Sequence, residues 1–444
     1  MWSAYYHNTG DGEDSDLKST IAKGWGGNSS IHTQVYSIEE AAIVKSSCLA
    51  FGSRQSYGDS SLAEIGIDTK SLLTIHSFDT VTGIISLDAG LTLHHLLTVS
   101  HPHHWTLNCV PGTPVATIGG AIASDVHGKD SMYAGTFTSH VRELSIQLHD
   151  NKIVTISPQS DPDLFFATCG GMGLTGIILR AKIQLRKIDS ICLTNSLEIH
   201  YGLEELITYL EQDKADYKNT WLPPGGLSQF PYSSLTFSQN FTQLSKTGKT
   251  KKLRQGFSIN FNFNFWTTKT IKIMNFLYYL KKRFLSEKKV TLLDAFFPMD
   301  SLVAFNTTFG QGGLIQVHFI LPRHNYRQPI EKIFDFIKTK KCYPVLTSLK
   351  LFKRNSEAML GFAIPGISFA MDFTASTEAR ELVQMINELV SQAGGRSYLT
   401  KDSELTQRQF ETMYPRSRQF NEVRKKFNAD KSFASIQSKR VGLD

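Results

Sequence analysis

Between Pro111 and Gly135 the chain runs PGTPVATIGGAIASDVHGKDSMYAG, a stretch whose residue types could handle a large flat ligand. From Gly119 to Ser124 most side chains are small, so main chain can approach a phosphate or a ring closely and use its own N–H groups. Asp125, His127, Gly128 and Lys129 follow at once, setting a titratable imidazole and a fixed positive charge beside that floor. The grouping suits a redox cofactor. A Gly/Ala-rich buried helix ending in a polar turn fits the same residues, and the segment alone does not choose between them.

Two other glycine segments bear on the choice. In AFGSRQSYGDSSLA, Gly52 and Gly58 flank Arg54, Gln55, Ser56, Tyr57 and, one residue on, Asp59. That density of donors is able to wrap a pyrophosphate, although a plain surface loop has the same texture. Gly171 to Gly176 spells G-x-G-x-x-G, with Asp189 at a distance suited to a ribose-binding acid. A dinucleotide fingerprint needs a strand before it and a helix after it, whereas Asp161–Cys169 reads as a helix and Ile177–Leu185 as a strand. The order is reversed. These glycines therefore read as a tight connection that brings backbone near a cofactor, or as a simple turn. His94, His95, His101, His103 and His104 have no cysteine or carboxylate at ligand spacing, so no metal site is expected.

The elements that must position these groups follow from pattern and composition. A chain of 444 residues suggests two or three domains, with two as the starting reading, and 41% hydrophobic with 20% charged residues describes a soluble globular protein. The net charge of +7 is modest, but Lys and Arg gather around 245–290 and 416–440, which suits an anionic partner or surface without requiring nucleic acid. The polar start MWSAYYHNTGDGEDSD has no signal-peptide pattern, no apolar run is long enough for a membrane span, and five scattered cysteines fit free thiols in a reducing compartment. A cytoplasmic location is the expectation. After the turn at Gly24–Gly27, a helix is predicted over Ser37–Ser47, with Ser37 as N-cap and Glu40 three residues on. Strands are predicted at 71–77 and 83–90 about the turn Asp79–Gly83, a helix at Leu91–Val99, and a hairpin from Val141–Leu148 and Lys152–Ser157.

From about Ser190 aromatics and lysines increase, and a domain boundary is placed there. A strand then a helix are predicted over 196–212, and loops over Gly225–Gln239 and Lys246–Gln255. FNFNFWTTKTIKIMNFLYYLKKRFL reads as a Phe-rich strand and a basic helix with Tyr, Leu and Phe on its apolar side, either resting on an anionic membrane or facing the core. Strands follow in LIQVHFILP, VLTSLKLF and ISFAMDF, then the helix Glu378–Gln392, the turn Gly394-Gly395 and a polar helical tail.

Several segments, in this order, carry a family likeness: Gly24-Trp25-Gly26, SYGD at Ser56–Asp59, GGAIASDVHGK at Gly119–Lys129, GGMGLTGIILRA at Gly170–Ala181, LKLF at Leu349–Phe352, MDF at Met371–Phe373 and GGRSYLTKDS at Gly394–Ser403. Together they resemble the FAD-dependent oxidases and dehydrogenases of the vanillyl-alcohol-oxidase (PCMH-type FAD-binding) superfamily, nearest to those that oxidise a decaprenylphosphoryl-linked ribose at its 2-hydroxyl. The likeness spans nearly the whole chain and is loosest over 190–300. It implies an α+β fold: a two-part FAD-binding domain, the first part being 1–188 and the second a returning tail at 396–444. A substrate-binding cap domain at 189–395 would lie between them, with a mainly antiparallel sheet and flanking helices.

The same resemblance implies site residues. The FAD pyrophosphate would lie against Gly52, Ser53, Arg54, Gln55, Ser56 and Tyr57 and the backbone of Thr117, Ile118, Gly119, Gly120, Ala121 and Ala123, with Gly112, Ser124, Gly128, Gly173, Gly176 and Ile177 completing the cofactor contacts. The flavin ring would face His127 and Lys401. Lys401, with Tyr398 beside it, would bind the reacting oxygen, stabilise its alkoxide and, if desolvated, accept its proton. Gln316, His318, Lys350, Ser368 and Ala370 would line the substrate side, with Trp221 and Phe352 as apolar walls, or else serve as buried sheet positions.

Departures from the family pattern set further expectations. Gln55 stands where relatives with covalent FAD carry histidine, so the flavin should be held non-covalently; Arg54 replaces a common glycine. His318, Ser368 and Ala370 stand where glutamine, asparagine and cysteine occur in relatives, which leaves the sugar open. The implied reaction is oxidation of a secondary sugar alcohol to a ketone by hydride transfer to flavin N5, the substrate being a polyprenyl-phosphate-linked pentose oxidised at its 2-hydroxyl. A partner reductase or other electron acceptor and peripheral contact with the inner membrane face belong to that reading. Lys350 and the basic helix would meet the phosphate. The rivals are an aldonolactone or sugar-alcohol oxidase using dioxygen, and a flavin-retaining binding protein or membrane scaffold without catalysis.

Overall fold

Alternating apolar and polar residues build four main sheets, seen in a computed structural model that describes residues 18–222, 235–243, 264–283, 288–297 and 305–444. The polar N-terminal stretch, residues 225–234 and 246–255 of the predicted loops and residues 261–263 of the predicted Phe-rich strand lie outside the described residues.

The first sheet holds β1 (Lys18–Lys23), β2 (Ser30–Ser37), β3 (Leu49–Phe51) and β4 (Ile65–Asp68) in the order β1-β2-β4-β3. Strands β2, β4 and β3 run parallel, and the Gly52–Ser60 loop leaves the end of β3. The helix predicted over Ser37–Ser47 is not there: Ser37 ends β2, and a single 3-10 turn covers Glu39–Ile43. The cap signal was sound, since Ser37 N–H donates to Glu40 and Glu40 N–H to Ser37 Oγ, but sheet pairing of β2 took the first residues and only one turn followed.

Next come β5 (Ile75–Asp79), β6 (Ile84–Asp88), β7 (Trp105–Thr106), β8 (Val141–Gln147), β9 (Ile153–Ile156), β10 (Ile177–Gln184) and β11 (Arg186–Lys187). Five of them form an antiparallel sheet in the order β5-β6-β10-β8-β9, while β7 pairs with β11. Both predicted hairpins are present. The third sheet contains β12 (Cys192–Tyr201), β13 (Tyr217–Trp221), β14 (Leu235–Gln243) and β15 (Lys288–Thr291) in the order β13-β14-β12-β15. Leu235–Gln239, predicted as loop, therefore belongs to a strand, held by main-chain pairing to β12 and β13 on both sides.

The fourth sheet is antiparallel, with β16 (Leu314–Pro322), β17 (Leu346–Phe352), β18 (Gly366–Thr374) and β19 (Arg396–Ser397) in the order β17-β18-β16-β19. One face, including Val317, Phe319, Leu349, Phe369 and Met371, is buried in the main core together with the apolar stripes of the helices Arg327–Lys340 and Thr377–Gln392. The other face carries the polar residues discussed below. Leu222 bridges to Thr347, so the third and fourth sheets touch.

The basic helix spans Thr268–Arg283, and Asn264–Thr267 before it form no strand, because Phe265 and Trp266 turn toward the 3-10 turn Phe305–Phe309 instead of pairing. Its inner side is Ile271 and Asn275, while Ile273, Met274, Phe276 and Leu277 are exposed. The expectation of one apolar side facing either core or membrane is thus divided, with apolar residues on both.

The tail forms helices at Gln407–Met413, Ser417–Lys426 and Ile436–Arg440, the first and last started by capping boxes at Thr406 and Ser435. It returns to the first sheet: Cys48 bridges to Phe433, and Ile436 N–H donates to Leu62 C=O.

Candidate active site

The loop after β3 is held open and in place from two directions. Gly52 passes so close to Thr117 that a Cβ would lie 2.2 Å from its Oγ1, and one on Gly58 would lie 1.9 Å from the Asp402 carbonyl oxygen. Arg54 takes the left-handed φ of 48° that the family's glycine would take easily, with its guanidinium 3.5 Å from the Phe51 ring centre. Ser53 Oγ donates to Val115 C=O and Gln55 Nε2 to Ser53 C=O. Among the described residues no acceptor takes the main-chain N–H of Ser53, Arg54, Gln55 or Ser56. Tyr57 N–H donates to Thr400 C=O, and Arg440 bridges the buried Asp59 and Asp402 at 2.8 Å each. The tail thereby clamps the loop.

The small-residue run forms the short helix Ile118–Ala123, capped by Thr117. Its expected use of main-chain donors is corrected by the hydrogen bonds. Ile118 N–H donates to Leu91 C=O, Gly119 N–H to Ala89 C=O, Gly120 N–H to Thr117 Oγ1 and Ala121 N–H to Thr117 C=O. The small residues make room for close approach, while the amides of residues 53–56 have no acceptor among the described residues. Gly170 and Met172 N–H donate to Ile122 and Ala123 C=O, so the G-x-G-x-x-G turn docks behind this helix. Gly173 there has φ +79°, Gly176 packs against Gln147 C=O, and Ile177 is buried among Cys48, Ile67 and Phe433. Gly112 borders open space, and Gly128 is pressed against Val110.

Strand register collects the predicted substrate residues on one face. Across the central strand β18, Asp372 pairs with Gln316 on one side and Leu346 on the other, Ala370 with His318 and Ser348, and Ser368 with Ile320 and Lys350; Phe352 ends the same face opposite Gly366. His318 Nε2 and Ser368 Oγ lie 2.9 Å apart. His127, which follows the small-residue helix, meets this face with its ring 4.9 Å from His318, 5.1 Å from Phe352 and 5.4 Å from Phe362, onto which it stacks. Trp221 stands at the rim in a cluster with Leu346 and Tyr278.

Two tyrosines adjoin Lys401, whose N–H donates to Tyr398 C=O. Tyr398 packs 5.1 Å from His127, and its hydroxyl donates to Ser124 C=O at 2.8 Å, which commits its proton to that bond. Tyr57 supplies the ring under the Lys401 amine, Nζ lying 3.3 Å from its centre. Tyr57 also shares a hydrogen bond with Gln316, and Gln316 donates to Asp372. Asp372 and Phe362 were missed in the sequence. Asp372 was findable, since it faces Gln316 at the even positions of ISFAMDF; Phe362 lies in an irregular segment with no periodic signal.

Burial governs the charges here. It pushes Lys401 down to about 7, helped by Lys350 and opposed by Asp372, and it raises Asp372 to about 6. His127 and His318 are driven well below the ordinary imidazole value by burial and by Lys350 and Lys401, so both are neutral at physiological pH. Lys350 is lowered by burial and faces Asp130 and Cys109 on its far side. The arrangement offers an amine able to carry or release a proton, with neutral donors and acceptors around it.

Comparison with known proteins places this geometry. The FAD binding domain family matches residues 20–157. Decaprenylphosphoryl-beta-D-ribose oxidase of Mycolicibacterium smegmatis (strain ATCC 700084 / mc(2)155) is 31% identical over 411 residues, covering 89% of each chain. The chain belongs to the FAD-dependent oxidoreductases of the vanillyl-alcohol-oxidase, PCMH-type superfamily. An uncharacterized protein in the mprA 5'region of Streptomyces coelicolor is 23% identical over 80% of this chain and 100% of its own, and cytokinin dehydrogenase 3 of Oryza sativa subsp. japonica is 28% identical over 44% and 35%. The flavoprotein is an enzyme acting on CH–OH groups, with FAD as cofactor.

The residues present fit that cofactor. Four consecutive amides without an acceptor among the described residues, in a loop with a left-handed Arg54, suit a pyrophosphate. Both ring nitrogens of His127 are buried without a partner among the described residues, leaving them for a polar ring edge or a substrate.

Proposed function

We propose that this flavoprotein oxidises a secondary hydroxyl of a sugar to a ketone, with a polyprenyl-phosphate-linked pentose, oxidised at its 2-hydroxyl, as the substrate class. The observation that carries the reading is Lys401: a half-buried lysine whose amine is fixed over the Tyr57 ring at the sheet surface of hydrogen-bonding residues, with desolvation pushing its pKa down to about 7. When bound, FAD supplies the two-electron acceptor for the hydride of the carbinol carbon. Lys401 binds the reacting oxygen and takes its proton, while Gln316, His318, Ser368 and Lys350 orient the remaining hydroxyls. Phe352 and Trp221 exclude water from the two ends of the face. Gln55 offers no imidazole for attachment, so FAD is held non-covalently, and acid precipitation should release all of the flavin into the supernatant.

A lipid-linked substrate also accounts for the helix Thr268–Arg283. Tyr278 on that helix touches Trp221 at the rim, 4.9 Å between ring centres, and its outer side presents Ile273, Met274, Phe276 and Leu277 with Lys269 and Lys272 nearby. No described helix is long and apolar enough to cross a membrane, so the contact in this reading is peripheral. The test is anaerobic bleaching of the oxidised flavin by a panel of prenyl-phosphate sugars, free polyols and aldonolactones, followed by reoxidation with dioxygen or an artificial acceptor. Bleaching by lactones alone with rapid reoxidation by dioxygen would replace this reading with an aldonolactone oxidase; no bleaching by any sugar would end it.

A further inference from the structure

One buried carboxylate near Lys401 has no part in the proton transfer just described. Asp372, 2% exposed, lies opposite Gln316 across β18 and β16 and accepts the Gln316 amide; Gln316 reaches Tyr57; and Lys401 Nζ rests on the Tyr57 ring. The four side chains come from three separate parts of the chain: the loop after β3, the fourth sheet and the segment after β19. A carboxylate so enclosed is stable only if it answers a nearby cation or hydrogen-bond donor. The groups facing Lys401 are Tyr57 from the loop, Asp372 from β18, Lys350 from β17, His318 from β16 and His127 from the segment after the small-residue helix. Of these, Asp372 alone is a carboxylate.

We propose that Asp372 is a positioning residue for Lys401: anchored by Gln316, it supplies the negative charge that holds the lysine over Tyr57 once the amine has taken the proton of the substrate hydroxyl. The proton passes from the hydroxyl oxygen to Nζ, the amine becomes an ammonium, and the two electrons of the C–H bond leave with the hydride to FAD. Asp372, raised to about 6, is ionised at neutral pH and acts on Lys401 without touching substrate or cofactor. The inference rests on the proposed role of Lys401 but is read separately from it.

The test uses the FAD-loaded protein and Asp372→Asn, which keeps the shape and an acceptor for Gln316 but removes the charge. Competitive acetylation of Lys401, followed by mass spectrometry across pH, reports the titration of this amine without any substrate. Because Asp372 acts to raise that titration, its removal should move the midpoint to lower pH, by about half a unit or more for an opposite charge at this range. The acid limb of flavin reduction by a sugar should move the same way, and Asp372→Glu should restore both. If Asp372→Asn does not retain FAD, Gln316→Met serves instead, since freeing Asp372 from its donor favours its neutral form and should also lower the midpoint. An unchanged or raised midpoint in a variant with intact flavin overturns the proposal. Failure of every sugar to reduce the flavin would refute the proposed reaction and leave the acetylation result to decide on Asp372.

Discussion

Replacing Lys401 by methionine tests the central chemistry most directly. With its pKa pushed down to about 7, about half of the Lys401 side chains are free amine at neutral pH, against ~1 in 3,000 for a lysine at its ordinary value of 10.5. The site has therefore made a base from a residue that is ordinarily an acid. Losing such a group should lower the rate of flavin reduction by about 10²–10⁴-fold, with FAD still bound. Stopped-flow bleaching of the visible flavin band under anaerobic conditions measures this. In the wild type the rate should rise with pH through about 7 and then level off, because the amine must be neutral to accept a proton. His127 and His318 add no limb there, both being neutral already.

Stability should change in the opposite sense to activity. The folded-state pKa of Lys401 is below the unfolded value, so the unfolded chain binds more protons between about 7 and 10.5 and stability rises with pH across that window. Below it the cost of burying the ammonium is fully present. Lys401→Met should consequently raise Tm at pH 7, by roughly 1–2 kcal/mol in stability, with the advantage shrinking toward pH 10. A variant that bleaches within a few-fold of wild type, or a wild-type profile without a limb near 7, would refute the reasoning.

Other outcomes follow from the same structure. Arg440→Met leaves Asp59 and Asp402 buried without their shared cation and should cost about 3–5 kcal/mol in denaturant unfolding, with FAD lost early because the clamp on the 52–60 loop is gone. Ile273→Glu with Leu277→Glu alters side chains that are 58% and 51% exposed, so stability should stay within about 0.5 kcal/mol while co-sedimentation with phosphatidylcholine/phosphatidylglycerol vesicles falls. His318→Gln should change the order of preference among pentose substrates, read as kcat/KM ratios, because it alters the hydrogen bond to Ser368.

Much of this protein is legible before folding is considered. The strands LIQVHFILP, VLTSLKLF and ISFAMDF are legible from their pattern, the resemblance named Gln316, His318, Lys350, Ser368 and Ala370 on them, and strand register puts those residues on one face because alternate residues of paired strands share a side. The glycines at 52 and 58 likewise announce close approach, though not to what; the structure answers Thr117 and the carbonyl of Asp402. The predicted helix at Ser37–Ser47 failed because a local cap cannot know that its first residue is already paired in a sheet.

The sequence by itself, through the family likeness its motifs carry, determined the cofactor class and the α+β architecture. Only tertiary structure decided which tyrosine lies under Lys401, that Asp372 stands near it, and which amides of the 52–60 loop lack an acceptor among the described residues. Those are questions of hydrogen-bond satisfaction and burial, and a donor is free only when every potential acceptor, however distant along the chain, has been placed elsewhere.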